Sequence, residues 1–212
     1  MIRAAWVGLS AALLAASAVH ADAVRTVPLV KMFPYLEHYY RLAPSERERF
    51  QLEYRFRKPS PSVTAIMVQG ARRVPVRTDA RNIVQDLPDP AMLQSGVLET
   101  SATKDQKFSV GLSPQPVLTL STSMPAAESV EAVAEISAGI RRFAGVLGFA
   151  APRFNGVRFD GVRSGEAVFA DGRRVPLPVV EGKPVYRPNT PAMRGAVRLA
   201  FPNAPTDVDF TD

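Results

Sequence analysis

The sequence predicts an α+β protein made of two similar tandem modules, each a helix plus a small antiparallel β-sheet. Three observations predict this. Arg72-Arg73-Val74-Pro75 recurs as Arg173-Arg174-Val175-Pro176, and Pro90-Ala91-Met92 recurs as Pro191-Ala192-Met193, both with an offset of 101 residues. Val84 falls on Val185 in the same register, and self-similarity at a fixed period marks one structural unit used twice. Apolar runs flank Gly70 and Asp171-Gly172, which is the pattern of a hairpin in each copy. Ile136, Ile140 and Phe143 form one helical stripe, and the same offset carries them back to Tyr35, Tyr39 and Leu42.

The elements follow in chain order. Residues 1–21 read as a secretory signal peptide: Arg3, an apolar run from Ala4 to Ala18, then small residues around a cleavage point at 21–23. The run is short of the ~20 residues that a bilayer span requires. The first module is expected over 27–122 and the second over 123–212. Met32 to Leu42 reads as an aromatic helix with Pro34 in its first turn. Ser45 followed by Glu48 resembles a capping box. Phe50, Leu52, Tyr54 and Phe56 alternate with polar residues, which is the clearest strand in the chain.

The two hairpins are expected at 63–77 and 166–177. Pro75 and Pro176 sit in their second strands, so both strands should be edges or carry a bulge, because proline cannot donate to a ladder. Further strands are expected at Val97–Thr100, Lys107–Leu112, Val117–Ser121, Gly156–Val162 and Val197–Phe201. One long helix runs from Ser123–Pro125 to about Leu147, with Gly148 as its cap. Its acidic start and basic end match the macrodipole, and Val133, Ile136, Ile140, Phe143 and Leu147 form its buried seam. The acidic end, Thr206 to Asp212, reads as a mobile terminus.

Composition narrows the chemistry. The chain has 212 residues, 46% hydrophobic and 22% charged, which is globular. It contains no cysteine, which excludes disulfides, thiolate metal sites and cysteine nucleophiles. Beyond the signal the single histidine is His38, so a Ser-His-Asp site depends on it, and no G-x-S-x-G accompanies it. Ser101-Ala102-Thr103-Lys104 matches S-x-x-K without the partner motifs that this chemistry needs. Asp207, Asp209 and Asp212 are too few for a calcium loop. There is no phosphate loop or dinucleotide fingerprint, and no cofactor or metal is expected.

The net charge of +6, carried mostly by arginine, leaves a surface as the candidate site. Arg55, Arg57, Arg72, Arg73 and Arg77 flank neighbouring strands, and Arg173 and Arg174 repeat part of that set. Guanidinium forks suit phosphate and carboxylate. The reading is an exported, periplasmic or secreted, non-enzymatic protein that binds or scaffolds in the cell envelope. Its partner would be an anionic envelope component or another envelope protein; nucleic acid is not expected. The alternatives are a carboxylate-based envelope hydrolase with His38 as accessory, and a purely structural assembly component.

Overall fold

The computed structural model describes residues 25–57, 63–102, 106, 109–144 and 153–212. The expected signal peptide lies outside the described residues, as do Thr103, Lys104, Leu147 and Gly148. The fold is mixed α+β, with one main helix and several antiparallel sheets.

Strands β1 (Arg25–Pro28), β3 (Ala65–Gln69), β4 (Arg72–Pro75) and β5 (Val97–Thr100) form one sheet in the order β1-β5-β3-β4. Between β1 and β3 lie helices α1 (Leu29–Met32) and α2 (Leu36–Arg41) and strand β2 (Phe50–Arg57). Strand β2 pairs along its whole length with β6 (Ser109–Pro116), and its apolar residues alternate inward as the period of two requires. Helix α3 (Pro90–Ser95) precedes β5. Next come β7 (Ser123–Pro125) and the long helix α4 (Ala126–Ala144). The remaining strands are β8 (Gly156–Asp160), β9 (Glu166–Phe169), β10 (Arg174–Pro176), β11 (Val179–Val180), β12 (Lys183–Tyr186), β13 (Ala196–Ala200) and β14 (Asp207–Thr211). They build two sheets, β10-β9-β13-β7 and β11-β12-β8-β14.

Several expectations need correction. The first helix is two short helices, broken at Phe33–Tyr35. Pro34 restricts Phe33, which caps α1 at φ −116°, and Tyr35 turns left-handed at φ 65°. The capping box is shifted: Glu46, not Glu48, accepts from a backbone amide, that of Ala43, at 3.0 Å. Of the two strands expected at 107–112 and 117–121, only the first forms, as part of β6, and Val117 to Leu120 is loop. The acidic terminus is strand β14, paired residue for residue with β8, because Val208 and Phe210 point into the core. Helix α3 is an element that the sequence reading did not place. Its signals were present: Asp89 accepts from the Met92 amide at 2.9 Å, and Pro90 occupies the first turn.

The offset of 101 does not reach the helices. Tyr35 is 52% exposed at the helix break, whereas Ile136 is 2% exposed in the middle of α4. The two hairpins also turn differently. Gly70-Ala71 is a two-residue turn with Gly70 at φ 56°. The second turn takes three residues, Ala170-Asp171-Gly172, and only Gly172 has positive φ. An Asp-Gly pair therefore serves a longer loop here than the two-residue form expected of it.

Pro75 and Pro176 do lie on edge strands, β4 and β10. The Val76 amide donates to Ala65 O, and the Leu177 amide to Gly165 O. Alternation along an antiparallel pair then turns Pro75 and Pro176 away from their partners. The other edges of the same sheets repeat this. Leu29 N donates to Gly96 O and Phe201 N to Thr122 O, which turns Pro28 of β1 and Pro125 of β7 outward. Each proline sits where its missing N–H costs no ladder bond and removes an exposed donor.

The core is continuous through the described chain. Phe33 packs edge-on against Tyr54 at 5.1 Å, and Tyr39 against Phe50 at 5.4 Å. The Tyr54 hydroxyl donates to Pro34 O at 2.7 Å. Ala132, Val133 and Ile136 of α4 join the same cluster as Phe159, Tyr186 and Leu199. Ile140 and Phe143 are only partly buried. Polar ties cross between the early and late parts of the chain: Arg49 N to Glu135 at 2.8 Å, Arg142 to Glu46 at 2.6 Å and Arg81 to Asp207 at 2.9 Å.

Candidate functional site

Strand β4 carries the first pair of candidate arginines, and its alternation separates them. Val74 lies opposite Met67 and Arg73 opposite Val68, so Arg72 shares the Met67 face and Arg73 takes the other. On the Arg72 face a cleft of about 390 Å³ runs beside the edge strand. Met67, Val74, Leu87 and Met92 make its apolar lining, and Arg72 and Arg77 contribute its charge. Arg72 reaches Asp89 at 2.5 Å. Arg77 grips Asp86 with two bonds, at 2.7 and 2.9 Å.

These pairs shift the groups that form them. Asp86 is held below the usual carboxylate range by the Arg77 guanidinium, and Arg77 is raised in turn. Asp89 is held down first by the Met92 amide and then by Arg72. All four side chains are substantially exposed, so water screens the pairs and each can be exchanged for a stronger anion.

The remaining candidates do not join this cleft into one patch. On the other face of its sheet, Arg73 pairs with Glu99 at 2.5 Å. Arg174 pairs with Glu166 at 2.6 Å, next to a second cleft of about 380 Å³ lined by Pro176, Phe201 and Pro202. Arg173 lies over the Phe169 ring at 3.6 Å. Arg55 and Arg57 are on β2, which pairs with β6 rather than with β4, and they are exposed there. The sequence placed these strands side by side, but sheet order separates them.

The polar cleft beside β2 is different in kind. It holds about 330 Å³ and is lined by Gln51, Glu53, Asp79, Arg81 and Gln85, among others. Glu53 is pushed above its ordinary value chiefly by burial, with Asp207 and Asp79 adding and Arg81 opposing. Asp79 is held low, because its carboxylate accepts the Ile83 and Arg81 amides at 2.8 and 2.9 Å. Glu53 and Asp79 are pushed in opposite directions, as an acid–base pair would be, but the Asp79 carboxylate is committed to two backbone amides and faces Arg81 at 3.7 Å.

His38 shares a ring cluster with Tyr35 and Phe143. Its neighbour Glu37 is committed to Arg41. Ser101 accepts from the Thr64 amide at 2.9 Å, in a strand-end contact. Asp207 and Asp209 pair with Arg81 and Arg158. Among the described residues no group of three His, Cys, Asp or Glu could hold a metal ion, and no helix is long and apolar enough to cross a membrane.

Sequence reasoning missed Asp86, Asp89, Met67 and Met92 as partners of the arginines. The Asp89-Pro90 cap signal could have found α3, and with it the wall that Met92 contributes. Comparison with known proteins gives no match: no family model, no curated protein and no solved structure is significantly similar to this chain.

Proposed function

We propose that this is an exported, non-enzymatic binding protein of the cell envelope, and that the cleft beside β4 takes an anionic ligand with an apolar body. The observation that carries this reading is the make-up of the cleft. Met67, Val74, Leu87 and Met92 offer an apolar bed, and two guanidinium forks, Arg72 and Arg77, stand in the same cleft. A phosphate or carboxylate head binds a fork bidentately and competes with Asp86 and Asp89 for it. Exposed ion pairs are held weakly, so the exchange is cheap. The apolar body then gains roughly 25 cal/mol for each Å² that it removes from water.

Two finer readings belong with this one. Export rests on the sequence: Arg3, the apolar run and the small residues that follow it. Duplication is supported by the matching orders β4-β3-β5-β1 and β10-β9-β13-β7. In both, the strand holding a buried leucine, Leu98 or Leu199, lies between the hairpin and a short edge strand ending in proline. A helix starts directly after that proline, at Leu29 and at Ala126. The extra residue in the second hairpin turn and the different helix spacing account for the uneven offset.

The test is retention on vesicles containing an anionic lipid, with neutral vesicles as control. Binding to the anionic vesicles should weaken about tenfold or more in Arg72→Ala/Arg77→Ala and be suppressed by salt. Unchanged retention in that variant sinks the cleft as the site.

A further inference from the structure

We propose that the cleft beside β4 takes a single-chain carboxylate amphiphile, that its head group sits on Arg77, and that Asp86 is the internal carboxylate it replaces. This rests on the reading of that cleft as the binding site, and it narrows the ligand to one class and the head-group contact to one guanidinium.

The two ion pairs of the cleft are not equivalent. Asp89 is held twice. One of its oxygens accepts from the Met92 amide at 2.9 Å and caps α3, and the other accepts from Arg72 at 2.5 Å. An anion that took Arg72 would leave Asp89 in place, because its departure uncaps the helix. Asp86 has no such anchor. Among the described residues its carboxylate accepts from Arg77 alone. The backbone on either side is pinned, with the Gln85 amide on Arg77 O at 3.0 Å and the Tyr40 hydroxyl on Pro88 O at 3.0 Å. Asp86 can therefore turn out by side-chain rotation while the cleft keeps its shape.

Asp86 also displays the head group that Arg77 accepts. One oxygen takes the Nε–H at 2.7 Å and the other an Nη2–H at 2.9 Å, which is the side-on seat of a planar two-oxygen anion. A ligand carboxylate repeats that seat atom for atom. Charge limits the ligand to one such group. Arg72 and Arg77 are paired with Asp89 and Asp86, so turning Asp86 out leaves one positive charge over. A phosphate monoester brings nearly two negative charges and meets the fixed Asp89.

The lining sets the rest of the ligand. Met67, Val74, Leu87 and Met92 make the apolar bed. Methionine is flexible and polarizable, so this bed suits a pliant alkyl chain better than a rigid ring. The volume of about 390 Å³ is at the small end for ligand sites and accommodates one short chain.

The experiment uses the whole chain and calorimetry, with thermal melts to check the fold of each variant. The probes are decanoate, octanoate, decyl phosphate, dihexanoyl phosphatidylglycerol and decyl maltoside, each below its micelle-forming concentration. Decanoate should bind more tightly than any of the other four. Arg77→Lys keeps the charge and loses the fork, so it should weaken decanoate about fivefold or more, and Arg72→Lys should weaken it less. Asp86→Asn removes the competitor and should tighten decanoate about two- to fivefold. Absence of decanoate binding, or tighter binding of any other probe, overturns the ligand class. A loss in Arg72→Lys as large as that in Arg77→Lys, or an Asp86→Asn variant that binds no more tightly, overturns the roles of Arg77 and Asp86. In each of these cases a loss of vesicle retention in Arg72→Ala/Arg77→Ala would still uphold the cleft as the site, whereas unchanged retention there removes the site itself.

Discussion

At the scale of single residues, the carboxylates divide by environment. Asp79, Asp86, Asp89 and Glu46 are held low by backbone amides and arginines, and Glu53 is pushed up by burial. The signs for stability are opposite. A depressed carboxyl stabilises the fold above its unfolded value near 4 and loses that contribution as pH falls through its folded value. A raised carboxyl stabilises the fold only while protonated, and that contribution is lost as pH rises through its folded value. Glu53→Gln is therefore expected to raise the melting temperature slightly at pH 7 and to have little effect near pH 4. Thermal melts of both proteins across that range check it; an equal shift at both pH values would show that charge at Glu53 is not the cause.

At the scale of elements, the edge strands decide what the molecule can pair with. Pro28, Pro75, Pro125 and Pro176 face outward on the four edges of two sheets. A binding mode in which a partner adds a strand to the repeated edges is opposed by these prolines, since each removes a donor that the new strand would need. The arginine cleft beside β4 does not use that edge ladder and is unaffected. Pro75→Val/Pro176→Val should fold with little change in melting temperature, because neither position bonds to its neighbour. It should self-associate at high concentration, measured by light scattering. A variant that remains monomeric would mean that edge donors are hidden by something other than proline.

At the scale of the whole molecule, the core settles how the parts behave together. Leu98 and Leu199 lie at corresponding places in two separate sheets, both at 0% exposure, and both belong to one apolar cluster with α4. Leu98→Ala and Leu199→Ala should each cost about 2–5 kcal/mol. Because the core is continuous, each should lower the same single unfolding transition, followed by near- and far-ultraviolet circular dichroism. Two transitions, each sensitive to one substitution, would show two independently stable halves.

The sequence by itself determined the local elements whose signal is local. Strand β2 was legible from its period of two, α4 from its stripe and charge gradient, and the edge positions of Pro75 and Pro176 from the missing amide. Strand β14 was not legible, because its acidic residues suggest solvent until the buried faces of Val208 and Phe210 are seen against β8. The helix break at Tyr35 was likewise hidden, because aromatic spacing reads as one stripe whether or not the backbone turns within it. Only the tertiary structure decided which charges meet. Arginine was visible as a type in the sequence, but Arg72 and Arg73 part to opposite faces, and Arg55 and Arg57 leave for another sheet. Those placements depend on sheet order, which rests on contacts between residues far apart in the chain.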